Sequence, residues 1–249
     1  MSGHSKWSSI KHRKAAADAK RGKLFTKLAR AITIAAREGG GDPDSNPALA
    51  TAIQKARDYS MPKDNIQRAV DRGTGEGGDA EQIERVVFEG YGPGGVAILV
   101  EALTDNRNRT SAEIRHAFAK HSGALGEPGS VAWIFEKRGL IVLDGELYGE
   151  DDLIVAIDAG AEDVTADDDI LKVITDPGDL ARVRDTLAEA GLEIQSSDLT
   201  MEPKSTVEVS ESDSGTLLRL LDALEEQDDT DAVHANFEMS EEAMARAFV

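Results

Sequence analysis

The sequence predicts an α+β protein with a helical N-terminal bundle and two ferredoxin-like α/β domains, one inserted in the other. As far as Gly73 the apolar residues recur with a helical period, and after the glycine-rich segment 73–79 they form short strand-like runs. Residues 138–202 then follow the order β-α-β-β-α-β, which is that of a ferredoxin-like fold. The predicted domains are residues 1–75, residues 79–136 together with 206–249, and the inserted residues 138–202.

Three amphipathic helices account for the N-terminal bundle. The first runs from Lys20 to Arg37, the second begins with Asn46 as N-cap, and the third begins at Pro62 and ends at Gly73. A further helix is predicted near residues 8–19, where large apolar residues are almost absent. Packing alone cannot hold such a helix, so we expect it to lie on the surface or to become ordered on binding.

The middle domain begins with two strands, Val86 to Tyr91 and Val96 to Thr104, joined by a glycine-rich hairpin connection. Thr110 and Glu113 have the spacing of a capping box and predict the start of a helix. A third strand is expected from Val131 to Phe135. These elements give the order strand, strand, helix, strand.

The C-terminal residues 206–249 hold one predicted helix and one predicted strand, Ala232 to Met239. A single helix and strand cannot bury a core, so we expect them to complete the sheet of residues 79–136. The inserted domain has predicted strands at 139–143, 161–165, 170–175 and 193–201, and predicted helices at 151–159 and 177–190.

The charges are distributed unevenly along the chain. Residues 1–75 carry 15 Lys and Arg against 7 Asp and Glu, while the rest carries 13 against 40, so net charges of +8 and −27 make up the total of −19. Residues 1–37 hold ten basic side chains and the single acid Asp18. Solvated helix faces usually mix both signs, so this excess predicts a basic nucleic-acid-binding module joined to an acidic body.

No pattern of catalytic or metal-binding residues is evident, and we predict a protein that is not an enzyme and has no cofactor. The chain lacks cysteine, and its five histidines show no ligand spacing. The run GTGEGG lacks the Lys-Ser/Thr of a phosphate-binding loop. No apolar run approaches the roughly 18 residues of a membrane span, and no secretion signal is evident. We expect a cytoplasmic protein with neither a membrane nor a small-molecule substrate as partner.

Two segments are candidates for nucleic-acid contacts. In the first, Gly3 to Arg30, lysines and arginines can bind phosphates, while Trp7 and His12 can stack on bases, although Trp7 could equally anchor this N-terminal segment to the bundle. In the second, TDNRNRT, two arginines at a helix start can bind an anion or pair with the body's carboxylates. The candidate residues are Lys6, Trp7, Lys11, His12, Arg13, Lys14, Lys20, Arg21, Lys23, Lys27, Lys63, Arg107 and Arg109.

Several long motifs give the chain a family resemblance. GHSKW, IKHRKAAADAKRGKLFTKL, MPKDNI, EGYGPGGVAI, LTDNRNRT, EIRHAF and GSVAW, in this order, resemble the YebC/PmpR family of regulatory proteins. The match is nearly continuous over residues 2–135 and looser beyond them. This chain departs from the family pattern in its heavier acidity after residue 145 and in the segment 228–238.

The resemblance implies a three-domain α+β protein that acts in the cytoplasm as a transcriptional regulator on promoter DNA. It equally implies a translation factor, because family members are linked to the ribosome and a mitochondrial relative is a translational activator. The expected partner is therefore promoter DNA or ribosomal RNA, with the ribosome itself as a further candidate. Asn and Gln side chains that read bases are few in the basic segment, which favours structured RNA at least as much as a promoter.

Overall fold

The computed structural model describes residues 18–76, 83–167, 170–240 and 243, with the side chains of the first helix described from Gly22 onward. The fold is α+β: three N-terminal helices precede mainly antiparallel sheets that carry helices. This confirms the predicted class. The chain divides into two compact units, one of residues 136–202 and one that combines the segments on either side of it.

The three N-terminal helices are α1 (Asp18–Gly39), α2 (Pro47–Asp58) and α3 (Lys63–Thr74). The predicted N-cap of α2 is confirmed, because the Asn46 side chain accepts a hydrogen bond from Leu49 N at 3.1 Å. Helix α3 continues one residue past the predicted end and stops at Gly75, whose φ of 85° suits the left-handed cap position. The predicted helix near residues 8–19 lies outside the described residues except for its last two, which begin α1.

A shared apolar core joins the three helices. Helices α1 and α3 approach closely at Gly73, where a Cβ would collide with the carbonyl oxygen of Thr33 and with Ala36. Thr33 donates its hydroxyl to Ala69 O at 3.0 Å across the same contact. The buried core residues are Leu28, Ile32, Ala35, Ala36, Leu49, Ile53, Ala56, Met61, Ile66, Ala69 and Val70.

The same unit contains a four-stranded sheet in the order β3-β1-β2-β9, covered by α4 and α7. Strand β2 lies in the centre and pairs antiparallel with β1 and with β9, so a strand that follows residues 136–202 in the chain belongs to the same sheet as β1 and β2. Val209 and the leucines of α7 share one apolar core with this sheet. The elements are β1 (Glu84–Tyr91), β2 (Ala97–Thr104), α4 (Arg107–Lys120), β3 (Ala124–Leu125), α7 (Glu211–Glu225) and β9 (Thr230–Ala235).

The predicted start of α4 is wrong. The helix begins at Arg107, with Asn106 as N-cap accepting from Arg109 N at 3.1 Å. Thr110 therefore lies inside the helix, where its buried hydroxyl bonds to Thr104 Oγ1 at 2.7 Å and to Asp229 Oδ2 at 2.6 Å. A threonine followed by a glutamate has the spacing of a cap, but here the hydroxyl serves a buried carboxylate instead.

The predicted strand over residues 131–135 is also wrong. Residues Ala132–Ile134 form a 3₁₀ turn, because the N–H groups of Gly129, Val131 and Ala132 donate to the buried carboxylate of Glu89 at 2.6–2.7 Å. Burial opposes ionisation of Glu89, but these three bonds outweigh it and hold its pKa below the ordinary value. These amides thus donate to the Glu89 carboxylate rather than to a neighbouring strand.

Residues 136–202 form the other unit, with a sheet in the order β5-β6-β4-β7. Leu153, Val183 and Leu187 are fully buried between its helices and the sheet. The elements are β4 (Phe135–Asp144), α5 (Ile154–Asp158), β5 (Ala161–Asp167), β6 (Ile170–Thr175), α6 (Leu180–Glu189) and β7 (Ile194–Pro203). After this unit come the short paired strands β8 (Val207–Glu208) and β10 (Phe237–Glu238).

Candidate nucleic-acid interface

A cationic stripe of α1 contacts an acidic segment from the other end of the chain. Lys23, Lys27 and Arg30 lie one turn apart on the same helix face. Lys23 Nζ is 3.0 Å from Asp228 Oδ1, and Lys27 Nζ donates to the carbonyl oxygen of Glu225 at 2.6 Å. Arg30 donates to the carbonyl oxygen of Asp228 at 2.9 Å. We call residues 225–229, at the end of α7, the acidic anchor.

Asp229 is the centre of the acidic anchor. Its side chain is 2 % exposed and accepts hydrogen bonds from Arg30 at 2.8 Å, Arg109 at 2.6 Å, Thr110 at 2.6 Å and Thr104 at 3.1 Å. Burial opposes ionisation of this carboxyl, but the bonds from Thr110, Arg109 and Thr104 hold its pKa below the ordinary value. One buried carboxylate therefore joins α1, β2 and α4.

Arg37, the last cation of α1, donates to the carbonyl oxygen of Ile83. Together with the three cations above, every basic side chain of α1 that the structure describes therefore contacts a residue beyond position 82. Two of the predicted binding residues, Lys23 and Lys27, thus have partners within the chain. The run of basic residues without acids on this helix has an acidic complement in the same molecule. Over this part of the chain, charge excess alone does not identify an external ligand.

The cations of α3 have different surroundings. Lys63 in the first turn is exposed and has no ion-pair or hydrogen-bond partner among the described residues. Arg68 is exposed and bonds only within its own helix in that part of the chain, to Asp64 O at 3.1 Å and to Asn65 Oδ1 at 2.7 Å. These positive charges face solvent and can approach a phosphate.

A cavity of about 240 Å³ lies between α1 and α3, beside Arg68. Its apolar lining comes from both helices and from Met61, which precedes α3, and the charged lining residues that the structure describes are two arginines and no acid. We call it the α1–α3 groove. The lining residues are Phe25, Thr26, Ala29, Met61, Asn65, Arg68, Ala69 and Arg72.

The remaining predicted binding residues fall into three groups. Arg107 is exposed in the first turn of α4, whereas Arg109 is held by Asp229 and by Asp105 Oδ1 at 2.8 Å. Lys20 and Arg21 belong to α1, but their side chains lie outside the described residues. Lys6, Trp7, Lys11, His12, Arg13 and Lys14 also lie outside the described residues.

Side chains that could read bases in the helical region are engaged with neighbours. Gln54 donates to Asp58 and Gln67 to Asp71, each at 2.8 Å one turn along its helix. Asn65 accepts from Arg68. Bidentate recognition of adenine would require breaking these bonds, so the described helices offer more to the phosphate backbone than to base edges.

Sequence reasoning missed the acidic anchor and the groove. The sequence does carry a signal for the anchor, since the acidic run EEQDD is complementary in charge to the segment from Lys20 to Arg37, which holds basic residues and no acid. Phe25, Arg68 and Arg72 become recognisable as a group only when α1 and α3 are brought together. Within the described part of the chain, no group of three or more His, Asp or Glu side chains could hold a metal ion.

No described helix is both long enough and apolar enough to cross a membrane. Two family models match the chain: the N-terminal domain of TACO1/YebC proteins over residues 5–76, and the second and third TACO1/YebC domains over residues 83–237.

Similar proteins include one from Rubrobacter xylanophilus that is 57 % identical over 246 residues, covering 98 % of each chain, and one from Halothermothrix orenii that is 52 % identical over 248 residues, covering 98 % of each. Both bear the name "Probable transcriptional regulatory protein", which describes a regulator and not an enzyme. A crystal structure of a conserved hypothetical protein from Aquifex aeolicus is 46 % identical with a TM-score of 0.82, over 90 % of this chain and 93 % of that one. These matches confirm the resemblance seen in the sequence: the chain belongs to the TACO1/YebC family.

Proposed function

We propose that the protein is a cytoplasmic, non-enzymatic regulator of gene expression that binds nucleic acid through its N-terminal helices, acting as a transcriptional regulator on DNA. The observation that carries this proposal is the exposed cationic surface of α3, where Lys63 and Arg68 have no contact with the acidic anchor among the described residues. The names of the relatives support a regulatory role. Lys20, Arg21 and the basic residues before them extend the proposed interface.

The acidic body contributes orientation. Residues 76–249 carry a net charge of −27, so a polyanion is repelled from most of the molecule and attracted to the basic helices. By pairing with α1, the acidic anchor also fixes which helix faces stay available. The proposed interface is therefore the α3 side of the bundle together with the residues that precede α1, which we call the N-terminal arm. Arg107 is an auxiliary anion site.

We also propose that residues 138–202 are a ferredoxin-like domain inserted into a second α/β domain of residues 79–136 and 206–249. The sheet order β5-β6-β4-β7 supports this, because the first and third strands of the segment lie in the centre, as in ferredoxin-like sheets. The pairing of β9 with β2 supports the return of the chain to the earlier sheet.

A second candidate function is that of a ribosome-associated translation factor that binds structured RNA. It is favoured by the engagement of Gln54, Asn65 and Gln67 with their own neighbours, which leaves few side chains for reading a duplex. A sequence-specific operator protein discriminates by about 10³ or more, whereas backbone contacts alone discriminate little. On this reading, discrimination among duplex sequences is about tenfold or less.

Crosslinking in cells, followed by sequencing of both bound DNA and bound RNA, tests the two functions against each other. Enrichment of promoter DNA supports the transcriptional function, and enrichment of ribosomal RNA supports the second candidate. The reference sample in this experiment is the full-length protein, whose salt-dependent binding to nucleic acid is intact. Recovery of neither nucleic acid above a background without crosslinking would refute both.

The salt dependence of binding tests the role of the arm. If about five phosphates are neutralised, the slope of log K against log salt lies near −4 to −5. Replacing Lys11, Arg13 and Lys14 with alanine is expected to flatten the slope by about two to three units. An unchanged slope in this variant would exclude the arm from the interface.

A further inference from the structure

The α1–α3 groove has features that nucleic-acid backbone binding does not require. An electrostatic contact with phosphates needs only exposed cations, but this groove has an apolar floor built from Phe25, Ala29 and Met61. Met61 is 6 % exposed and belongs to the core of the bundle, so the partly exposed Phe25 and Ala29 offer most of the apolar surface that a ligand can touch. Arg68 and Arg72 lie at the groove, one turn apart on α3. An apolar surface next to cations suits a flat, apolar group that carries negative charge beside it.

The groove is the size of a small ligand. Its volume of about 240 Å³ is below the roughly 300–1,000 Å³ of pockets that hold drug-sized molecules. A volume of about 240 Å³ suits one planar ring system with its attached phosphate better than a peptide segment. The described lining has two arginines and no acid, which favours an anion over a cation or a basic peptide.

Polar groups at the groove can orient such a ligand. Asn65 Oδ1 accepts from Arg68, which leaves the Nδ2 donors of Asn65 without an acceptor among the described residues. Thr26 donates its hydroxyl to Gly22 O at 3.1 Å, so its oxygen can still accept a hydrogen bond. Donors and an acceptor beside an aromatic face are what the edge and the face of a nucleobase require.

We infer that the α1–α3 groove is a subsite for one unstacked nucleobase of a single-stranded nucleic acid, with Arg68 binding a phosphate beside it. The inference rests on the proposed nucleic-acid-binding function and specifies how one part of that interface works. Phe25, which is partly exposed, supplies the aromatic surface against which the base lies. RNA and DNA share this chemistry, and the sugar distinguishes them.

The test measures binding of the full-length protein to labelled oligonucleotides of one length and charge, either bearing uracil bases or fully abasic. Stacking of one base is worth roughly tenfold in affinity, so wild type is expected to prefer the base-bearing strand by about tenfold. Phe25→Leu keeps an apolar side chain but removes the aromatic face, and we expect it to reduce the preference below about threefold. Arms with ribose and deoxyribose backbones distinguish RNA from DNA.

Tyr59→Leu is the matched control, because Tyr59 is a partly buried aromatic residue that packs on the same core without lining the groove. The control is expected to keep the wild-type preference. Equal affinity of wild type for both strands, or a wild-type preference that Phe25→Leu retains in full, would overturn the inference and leave the proposed function standing. Absence of binding to either strand would refute the proposed function itself.

A second measurement does not depend on the folding of a variant. A single-stranded oligonucleotide containing 4-thiouridine is bound to the wild-type protein and photocrosslinked, and the crosslinked peptide is identified by mass spectrometry. Crosslinks in the segments around Phe25 and Met61 are expected. Crosslinks confined to other segments of the chain would overturn the assignment of the groove.

Discussion

Helices α1 and α3 both carry several cations in the same bundle, but those cations have different partners. On α1, Lys23, Lys27 and Arg30 contact the acidic anchor. On α3, Lys63 is exposed without a partner among the described residues, and Arg68 bonds only within its own helix there. The difference shows that one basic module can contain two kinds of charge: one that attaches the helices to the rest of the unit, and one that remains available to a ligand.

The contacts within the anchor differ in energetic weight. Lys23 and Asp228 are 63 % and 70 % exposed, and an ion pair of that kind contributes about 0–1 kcal/mol. Asp229 is 2 % exposed and accepts four side-chain hydrogen bonds, so removing its charge weakens the bonds made by donors of three elements. Among the contacts of the acidic anchor, Asp229 therefore contributes most to the attachment of α1.

Asp229→Asn gives the largest expected effect. The free energy of unfolding should fall by about 3 kcal/mol, since Arg30, Arg109 and Thr110 lose a charged acceptor in a buried position. Urea denaturation measures the change. The matched control is Asp228→Asn, which removes only an exposed pair and should cost at most about 0.5 kcal/mol. Equal losses in the two variants would contradict the central role of Asp229.

The pH dependence of stability sharpens the same point. Because the pKa of Asp229 is lowered in the folded protein, its contribution is fully present above the unfolded value of about 3.9 and is lost as the pH falls through the lower folded value. The stability difference between wild type and Asp229→Asn should therefore be constant near neutral pH and shrink below about pH 4. Urea midpoints at several pH values measure it, and a difference that stays constant under acid conditions would refute this account.

Lys27→Gln and Lys63→Gln apply the same chemical change to an anchored cation and to an open one. Lys63→Gln should weaken nucleic-acid binding by about 1 kcal/mol and reduce the salt slope by about one unit, with stability nearly unchanged. Lys27→Gln should lower the free energy of unfolding by about 1 kcal/mol, through loss of its bond to Glu225 O, and leave the slope as it was. The reverse pattern would mean that α1, and not α3, faces the nucleic acid.

The sequence predicts the helices well because their signals are local. Asn46 followed by Pro47 marks the start of α2, and the apolar residues Ile66, Ala69 and Val70 mark the buried face of α3. The errors occur where a distant residue determines the local structure. Glu89, forty residues earlier, accepts hydrogen bonds from the amides of the segment expected to be a strand. Asp229 accepts a hydrogen bond from Thr110, the residue expected to cap the helix.

The candidate site follows the same rule. The excess of basic residues is visible in the sequence, but the partner of each cation depends on contacts across about 200 residues, such as that between Arg30 and Asp229. Composition therefore indicates a basic module without showing which of its faces is already occupied. The groove likewise needs Phe25 and Arg68 to meet across the packed helices.

Arg107 and Arg109 repeat the comparison of α1 and α3 within two residues. Arg107 is exposed in the first turn of α4, and Arg109 is held by Asp229 and Asp105. Arg107→Ala should weaken nucleic-acid binding by about 0.5 kcal/mol, as expected for one exposed charge pair, and leave the melting temperature unchanged. Arg109→Ala, its neighbouring control, should lower the melting temperature because Asp229 loses a charged partner. Nucleic-acid binding and thermal unfolding are measured on both variants. A lower melting temperature of Arg107→Ala with unchanged nucleic-acid binding would exclude Arg107 from the interface.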